Sequence, residues 1–142
     1  PFGEGQRTHA SQGAVAVFLG KVLREEPVEI WGAGSVVRDY IHVADVVQAL
    51  LISLEPSREE HVFNIGSGKG HSLNDVLDAI ERITGRKAIR EYRPARGFDV
   101  PVSILCIERA RQALGWTPDV SFDEGLERFA AWLEENEPTS NP

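Results

Sequence analysis

Two arginines in this sequence are of the type and setting that phosphate binding requires. Arg38 lies among apolar and β-branched residues in the segment 36–41, and Arg96 lies in a loop rich in glycine and proline. The planar guanidinium fork suits phosphate oxygens, and a diphosphate has room for two such forks. Because most arginines are structural or solvated, an ion pair such as Arg38 with Asp39 is the favoured interpretation from the residues alone.

A glycine-rich loop from Gly66 to Gly70 is a second candidate for binding an anion. It follows a predicted strand and precedes a predicted helix, so its backbone N–H groups and the helix N-terminus could hold a phosphate. The loop does not match G-x-x-x-x-G-K-[ST], and His71 stands in the place of the last glycine of G-x-G-x-x-G. A structural turn is therefore the favoured interpretation, with a phosphate contact as the alternative.

Other residue types that perform chemistry form no recognisable set. The four histidines include no i, i+4 pair and no pairing with cysteine, so we expect no metal site. Cys106 lies between Leu105 and Ile107 and is expected to be a buried, inert thiol. Trp31 directly precedes the predicted turn of residues 32–35 and is the aromatic residue of interest. We therefore predict no catalytic residue from these patterns.

The elements that position these residues follow an α/β pattern. Helical spacing predicts helices over 13–26, 43–55, from Ser72 to Gly85, over 107–114 and over 122–135, and four short strands over 28–31, 36–41, 62–65 and 88–93. Ser11 is the predicted cap of the first helix. The second helix is expected to bury six apolar residues: Val43, Val46, Val47, Leu50, Leu51 and Leu54.

Composition limits the class of protein. The 142 residues include 15 Lys and Arg against 22 Asp and Glu, and the net charge of −7 argues against nonspecific nucleic-acid binding. No apolar run approaches the roughly 20 residues of a membrane span, and we see no signal peptide. A single cysteine fits a reducing compartment, so we expect a cytoplasmic location. The absence of methionine and the start inside a turn-like segment at Pro1 suggest a fragment of a longer protein.

Seven short blocks stand in order over residues 1–133. They are PFGEGQ at 1–6, GAV at 13–15, IWGAG at 30–34, RDYIHVADV at 38–46, FNIGSG at 63–68, RGFDV at 96–100, and LGWTP at 114–118 with EGL at 124–126. This set resembles the C-terminal part of the extended short-chain dehydrogenase/reductase family, the NAD-dependent nucleotide-sugar epimerases and dehydratases. UDP-glucose 4-epimerases are the type that it resembles most.

The resemblance implies roles for particular residues. Arg38 and Arg96 match family arginines that bind the diphosphate of a nucleotide sugar. Asp99 matches a residue that contacts the nucleotide ribose. Two departures from the family pattern lie nearby: Ala33 stands where Asp is usual, and Gly97-Phe98 precede Asp99 where the family has x-Gly.

Backbone contacts and the cofactor side are implied in the same way. The backbone at Gly13 and Ala14 approaches the nucleotide end of the substrate, and the backbone at Glu29 and Trp31 contacts the base. Pro1 follows the position of a family asparagine that lies beside the nicotinamide and the sugar. Pro1 is therefore the one residue of this sequence that the resemblance places on the cofactor side.

The resemblance also implies a division of labour. Residues 1–136 form the substrate-binding portion of an NAD-dependent UDP-hexose 4-epimerase, and residues 137–142 form a flexible tail. The family's Gly-x-x-Gly-x-x-Gly cofactor loop and Tyr-x-x-x-Lys catalytic pair do not occur in this sequence. We therefore expect the Rossmann half to be missing, and NAD to bind the full-length parent and not this fragment. The fragment is not expected to be catalytic.

The expected partners are a nucleotide diphosphate sugar, the missing N-terminal Rossmann domain and further copies of this chain. The homo-oligomer is expected because the strand over 62–65 would be cut from its sheet. Two alternatives stay open: a fragment of a nucleotide-sugar 4,6-dehydratase, and a non-catalytic nucleotide-binding module that uses the loop from Gly66 to Gly70.

Overall fold

The computed structural model describes residues 1–9, 13–54 and 62–136. The helices are α1 (Ala14–Leu23), α2 (Val43–Ser53), α3 (Leu73–Thr84), α4 (Glu108–Leu114) and α5 (Phe122–Asn136). The strands are β1 (Val28–Trp31), β2 (Val37–Asp39), β3 (Gly70–Ser72), β4 (Arg90–Arg93) and β5 (Val102–Ser103). Five helices and few, short strands in the described residues confirm the predicted α/β class. The predicted cap Ser11 and the tail over 137–142 lie outside the described residues.

The strands form two small sheets. β1 pairs in parallel with β4, and β2 lies between β3, which is antiparallel to it, and β5, which is parallel. β3 and β5 are too short to show any alternation of apolar residues, so the sequence did not predict them. The predicted strand over 62–65 is wrong, because no strand in the described part of the chain pairs with it.

The ends of α3 follow directly from local sequence. Ser72 Oγ accepts from the Asp75 N–H (3.1 Å), and the Asp75 carboxylate accepts from the Ser72 N–H (2.8 Å), which is the predicted capping box. Gly85 ends the helix with φ 67°, a conformation that residues with a Cβ rarely adopt. These contacts fix the start of α3 beside β3.

The larger core lies between α1, α3, α5 and β1. Its buried side chains come from the apolar faces of the three helices and from alternate residues of β1: Val15, Phe18, Leu19, Val22, Val28, Ile30, Val76, Leu77, Ile80, Leu126, Phe129 and Leu133, with Phe2 and four further residues. Because each of these four elements packs its apolar face against another of them, the larger core is covered within this chain.

The smaller core contains Ile41, Ala49, Ala110, Leu114 and Trp116, between α2 and α4. The predicted inward face of α2 is largely wrong, since Asp45 and Ala49 are the buried residues of this helix. Four of the six predicted core residues are exposed: Val47 by 49%, Leu50 by 61%, Leu51 by 64% and Leu54 by 75%. We call these four residues the open face of α2. The helix is apolar almost all round, so its sequence cannot select which side faces the core.

The segment that includes β5 is also poorly covered. Val100, Val102 and Ile104 are exposed, and so is Cys106, which contradicts the expected buried thiol. β5 contacts only β2 among the described strands, so nothing in the described part of the chain covers its outer side. Among the described residues, no helix is long and apolar enough to cross a membrane.

Candidate functional site

The free edge of β1 presents backbone groups at two predicted positions. The Val28 N–H donates to Ile89 and the Gly32 N–H donates to Arg93, at 2.8 and 2.9 Å, so both face β4. Alternate residues of a strand direct their backbone groups to opposite edges. Glu29 and Trp31 therefore point theirs away from β4, to an edge with which no described strand pairs.

The side chains of β1 sort in the same alternating way. Val28 and Ile30 are buried, whereas Glu29 and Trp31 are exposed on one face. The Glu29 carboxylate accepts from Arg93 Nε (3.1 Å) and Nη2 (2.9 Å). Because the Glu29 carboxylate is bonded to Arg93, the groups of Glu29 that remain available for a ligand are its backbone N–H and carbonyl. A backbone carbonyl can accept from a donor of a planar heterocycle, and a backbone N–H two residues away can donate to an acceptor of the same ring.

The turn after Trp31 is held by Asn74 at the start of α3. Asn74 Nδ2 donates to the Ala33 carbonyl (2.9 Å), and the Asn74 N–H donates to the Gly34 carbonyl (3.2 Å). Tyr92 donates its hydroxyl to Asn74 Oδ1 (3.2 Å). Gly34 has φ 73°, and a Cβ there would collide with the Asn74 side chain. The turn thus forms around Asn74, and the carboxylate lost at Ala33 is not needed to close it.

Arg38 lies on β2 with part of its guanidinium unused. Nη1 donates to the carbonyls of Val37 (2.8 Å) and Val100 (2.7 Å). Its Nε and Nη2 donate to no group in the described part of the chain. The ion pair with Asp39 that the residues alone favoured does not form, because the Asp39 carboxylate is occupied elsewhere. Arg38 is therefore anchored by one nitrogen and has two nitrogens left for an anion.

Arg96 is arranged in a comparable way at the start of the loop that leads to β5. Its Nε donates to Asp99 Oδ2 (3.1 Å), and the Asp99 N–H donates back to the Arg96 carbonyl (3.2 Å). Its guanidinium carbon lies 5.1 Å from the centroid of the Trp31 ring system and 5.4 Å from that of Phe98. Nη1 and Nη2 make no hydrogen bond within residues 1–9, 13–54 and 62–136.

The loop over 96–101 is what brings these residues together. Its first residue contacts Trp31 at the end of β1, and its later residues bond to β2 through Val100 and Pro101. Five predicted residues share this one region: Glu29, Trp31, Arg38, Arg96 and Asp99. They are separated by up to 70 positions in the chain, so only the tertiary structure could show that they meet.

Three predicted residues belong to other segments of the chain. Gly13, with φ 91°, caps α1 without a side-chain hydrogen bond, and Ala14 begins that helix. Phe2 bonds by its backbone to Ile41 (2.9 Å), so Pro1 lies exposed near the start of α2. No hydrogen bond or ion pair among the described residues joins Pro1, Gly13 or Ala14 to the two arginines.

The glycine-rich loop has an internal ligand. The Asp39 carboxylate accepts from the Ser67 N–H (2.7 Å), the Ser67 hydroxyl (2.6 Å), the Gly68 N–H (3.0 Å) and the Leu105 N–H (3.2 Å). A Cβ on Gly66 would lie 2.7 Å from the same carboxylate, so glycine is required there. The N–H groups that a phosphate would need are therefore used by Asp39, which favours the structural interpretation of this loop.

Sequence reasoning missed this role of Asp39. The indication in the sequence was that Asp39 directly follows Arg38. Neighbouring residues of a strand point to opposite faces of the sheet, so the Asp39 side chain had to face away from that of Arg38. The next residue, Tyr40, is half-buried, and burial raises the pKa of its phenol although the charge of Arg38 acts in the opposite direction. Tyr40 therefore stays neutral at physiological pH.

Two other features of the described residues do not contribute to the site. No group of three His, Cys, Asp or Glu side chains within residues 1–9, 13–54 and 62–136 is placed to hold a metal ion. A cleft of about 520 Å³ lies between the glycine-rich loop and the start of α5, lined in part by Lys69, His71 and Phe122. Ser67 and Lys69 of the glycine-rich loop line this cleft, but none of the predicted substrate residues Glu29, Trp31, Arg38, Arg96 and Asp99 does.

Comparison with known proteins identifies the family to which this fold belongs. Residues 1–66 match the NAD dependent epimerase/dehydratase family. An Escherichia coli dTDP-4-dehydro-6-deoxyglucose reductase is 38% identical over 91% of this chain and 41% of its own length. A UDP-glucuronate 4-epimerase of Thermodesulfobacterium geofontis is 36% identical over 84% of this chain and 37% of its own length.

A solved structure shows the same fold. The UDP-glucose 4-epimerase of Thermotoga maritima, crystallised with UDP-glucose, superposes with a TM-score of 0.89 at 40% identity, over 96% of this chain and 44% of that one. The chain thus spans about two fifths of the length of these relatives. On these grounds the chain belongs to the NAD-dependent epimerase/dehydratase family of extended short-chain dehydrogenases/reductases.

Proposed function

We propose that this chain is the substrate-binding part of an NAD-dependent UDP-hexose 4-epimerase and holds the diphosphate of a nucleotide sugar. One observation carries the proposal. Arg38 and Arg96 each use part of the guanidinium to fix its position and leave the remaining donors unpartnered in the described part of the chain. Both arginines are attached to the loop over 96–101, beside the free edge of β1.

Each element of the site then has a role. The two guanidinium groups bind the diphosphate through charge-assisted hydrogen bonds. The base lies against the backbone of Glu29 and Trp31, and the Asp99 carboxylate accepts from the ribose. Binding the nucleotide far from the reacting carbon fixes the sugar in one orientation, which is how remote binding energy serves catalysis.

The chemistry itself is proposed to lie outside this chain. When bound, NAD supplies the hydride acceptor and donor for the sugar carbon. The glycine-rich loop does not fit a dinucleotide pyrophosphate, because the Asp39 carboxylate occupies the N–H groups of Ser67 and Gly68. We therefore assign NAD binding and catalysis to further sequence of the full-length protein, with Pro1 as the cofactor-side residue of this chain.

The open face of α2 supports a partner of this kind. Four exposed apolar side chains, three on α2 and Leu54 directly after it, form a surface that water solvates poorly. The relatives are more than twice as long as this chain, so they contain enough further sequence to form a second domain. We propose that the N-terminal Rossmann domain of the full-length protein covers this face. In its absence two copies of the chain would associate there, so the homo-oligomer stays a prediction.

The reaction type is the least constrained part of the proposal. The relatives include a dTDP-sugar reductase as well as UDP-sugar 4-epimerases. A 4,6-dehydratase remains an alternative, because the described residues bind the nucleotide end and not the reacting carbon. The module that would use the loop from Gly66 to Gly70 is disfavoured by the contacts of Asp39.

Kinetics of the full-length protein test the role of Arg38. Arg38→Ala is expected to raise KM for UDP-glucose tenfold or more, which corresponds to a loss of about 1.4 kcal/mol or above. Arg38→Lys should recover only part of this, since an ammonium cannot make a bidentate contact. Arg128→Ala, on the exposed side of α5, is the matched control for loss of one positive charge. An unchanged KM in Arg38→Ala would contradict the proposal.

A titration of the 142-residue chain separates the proposal from its rivals. We expect UDP and UDP-glucose to bind, NAD not to bind, and Arg38→Ala to weaken the affinity for UDP. Binding of NAD that is lost on Ser67→Ala, with UDP unbound, would instead support the module that uses the glycine-rich loop. Isothermal titration calorimetry measures both affinities directly.

A further inference from the structure

Two aromatic rings beside the proposed site lack a packing role. Phe98 is 79% exposed and Trp31 is 38% exposed, and neither belongs to the larger or the smaller core. Solvent exposure of a side chain as large as Phe98 is unfavourable for the chain by itself. Phe98 also stands at the position where the family pattern described above has a glycine.

The guanidinium group of Arg96, which is on the same loop as Phe98, fills the space beside both rings. The guanidinium carbon of Arg96 lies over the two rings, at 5.1 Å from the Trp31 centroid and 5.4 Å from the Phe98 centroid. Only the Nε of Arg96 is held by a side chain, Asp99. A flat, delocalised cation that contacts two aromatic faces occupies the kind of surface on which a heterocyclic base stacks.

We propose that Trp31 and Phe98 bind the nucleobase of the nucleotide sugar by stacking, in the place that the Arg96 guanidinium occupies in the free chain. Entry of the base turns Arg96 away from the rings and towards the diphosphate. The inference rests on the proposed function, and it adds a base-binding residue, Phe98, and a movement of Arg96 on binding.

One observation and two physical arguments favour this exchange. The rings lie next to the free edge of β1, where the backbone of Glu29 and Trp31 can pair with the polar edge of the same base. Stacking of a base on an aromatic ring generally exceeds an exposed cation–π contact. Arg96 also gains two phosphate groups as partners, which are stronger than an exposed ring face because the hydrogen bonds are charge-assisted.

Three ligands divide the site into its parts. UDP reports on the whole nucleotide, uridine on the base without phosphate, and inorganic pyrophosphate on the two arginines without a base. The 142-residue chain and its variants Phe98→Ala and Phe98→Tyr are titrated with each ligand. Ile89→Ala is the matched control, because Ile89 is a half-exposed apolar residue at the start of β4, and it has no role in the proposed site.

We expect Phe98→Ala to weaken binding of UDP and of uridine at least about fivefold and to change that of pyrophosphate less than about twofold. Phe98→Tyr should bind all three ligands as the unchanged chain does, and so should Ile89→Ala. Equal losses for UDP and pyrophosphate in Phe98→Ala would overturn the proposal, because they would indicate a general effect on the loop. Unchanged binding of UDP would overturn it as well.

Arg96→Ala tests the exchange itself. Removal of the guanidinium frees the rings, so binding of uridine should become stronger while binding of pyrophosphate becomes weaker. Weaker binding of both ligands would overturn the exchange. UDP binding that depends on Arg38 but not on Phe98 would leave the proposed function intact and reject the stacking role, whereas no binding of UDP to the unchanged chain would reject both.

Discussion

The larger core and the smaller core are built from similar amphipathic elements but differ in how completely they are covered. The larger core joins seventeen buried residues, which are Phe2 and sixteen residues from three helices and a strand, and each element is covered by another. The smaller core joins five, and the open face of α2 beside it remains in contact with solvent. The first region is complete by itself, whereas the second requires a partner surface.

The proposed site lies where these two regions meet. β1 belongs to the larger core, whereas β2 leads through Ile41 into α2 and the smaller core. Trp31 thus stands on the well-packed region, and Arg38 on the region that we propose a second domain covers. From this difference we propose that binding of the base depends on this chain alone, whereas the position of the sugar depends on the whole protein.

Truncation of matched leucines should give the largest contrast between the two regions. Leu77→Ala, in the larger core and fully buried, is expected to lower the free energy of unfolding by about 2–5 kcal/mol. Leu51→Ala, on the open face of α2, should change it by less than about 0.5 kcal/mol in this chain. Urea denaturation measures both. Equal losses would show that the open face is covered in solution, by a second copy for example.

Removal of a buried carboxylate should affect the smaller core more than the larger one. Asp45 is 3% exposed, and it accepts from the backbone N–H groups of Asp119 (2.9 Å) and Val120 (3.2 Å). Asp45→Asn is expected to cost about 1–3 kcal/mol, because one acceptor oxygen becomes an NH2 group and the buried hydrogen bonds lose their charge. Hydrogen exchange measures where the loss occurs. In Asp45→Asn the backbone amides of α2 should exchange faster than in the unchanged chain, and those of α3 should be accelerated less.

The control for that variant is Asp119→Asn, which changes an exposed carboxylate on the same segment. Its exchange rates should match those of the unchanged chain. Equal acceleration of α2 and α3 in Asp45→Asn would indicate that the two regions unfold as one unit, and the contrast between them would then be structural only.

The cap of α3 allows a smaller test within the larger core. Ser72→Ala removes the hydroxyl that accepts from Asp75 and should cost about 1 kcal/mol. Ser35→Ala, which changes an exposed serine in the turn after β1, is the control. The loss should appear in the thermal midpoint, and the affinity for UDP should stay unchanged. A change in that affinity would show that the packing of α3 positions the site through Asn74.

An acidic titration gives the smallest expected effect. Lys87, the Ala88 N–H and Arg90 contact the Glu81 carboxyl and lower its pKa from 4.5 to about 2. Because the pKa in the folded state lies below the ordinary value, this stabilisation is present above pH 4.5 and is lost as the pH falls towards 2. Glu81→Gln should therefore flatten the fall in stability over that range, as measured by urea denaturation.

Glu135→Gln, an exposed carboxyl of α5, is the control for loss of one negative charge. It should leave the slope of stability against pH between 4.5 and 2 as it is in the unchanged chain. An identical slope in Glu81→Gln would mean that the link from α3 to β4 does not depend on this ion pair.

Local sequence was sufficient for the elements with strong end signals. The capping box at Ser72, the glycine at position 85 and the spacing of apolar residues in α3 and α5 act over a few neighbouring residues, so they could be predicted. β3 and β5 could not, since strands of two or three residues exist only through their pairing with β2. The false strand over 62–65 has the same cause, because its apolar pattern finds no partner in the described residues.

The sequence by itself determined the family and the α/β class, because the order of motifs and the spacing of apolar residues are properties of the chain, and it predicted the pair of arginines. The tertiary structure decided which groups remain available. It assigned the Asp39 carboxylate to the glycine-rich loop, turned four apolar residues of α2 to solvent and placed Arg96 against two aromatic rings. Each outcome depends on contacts between segments far apart in the chain, whose relative free energies no local pattern encodes.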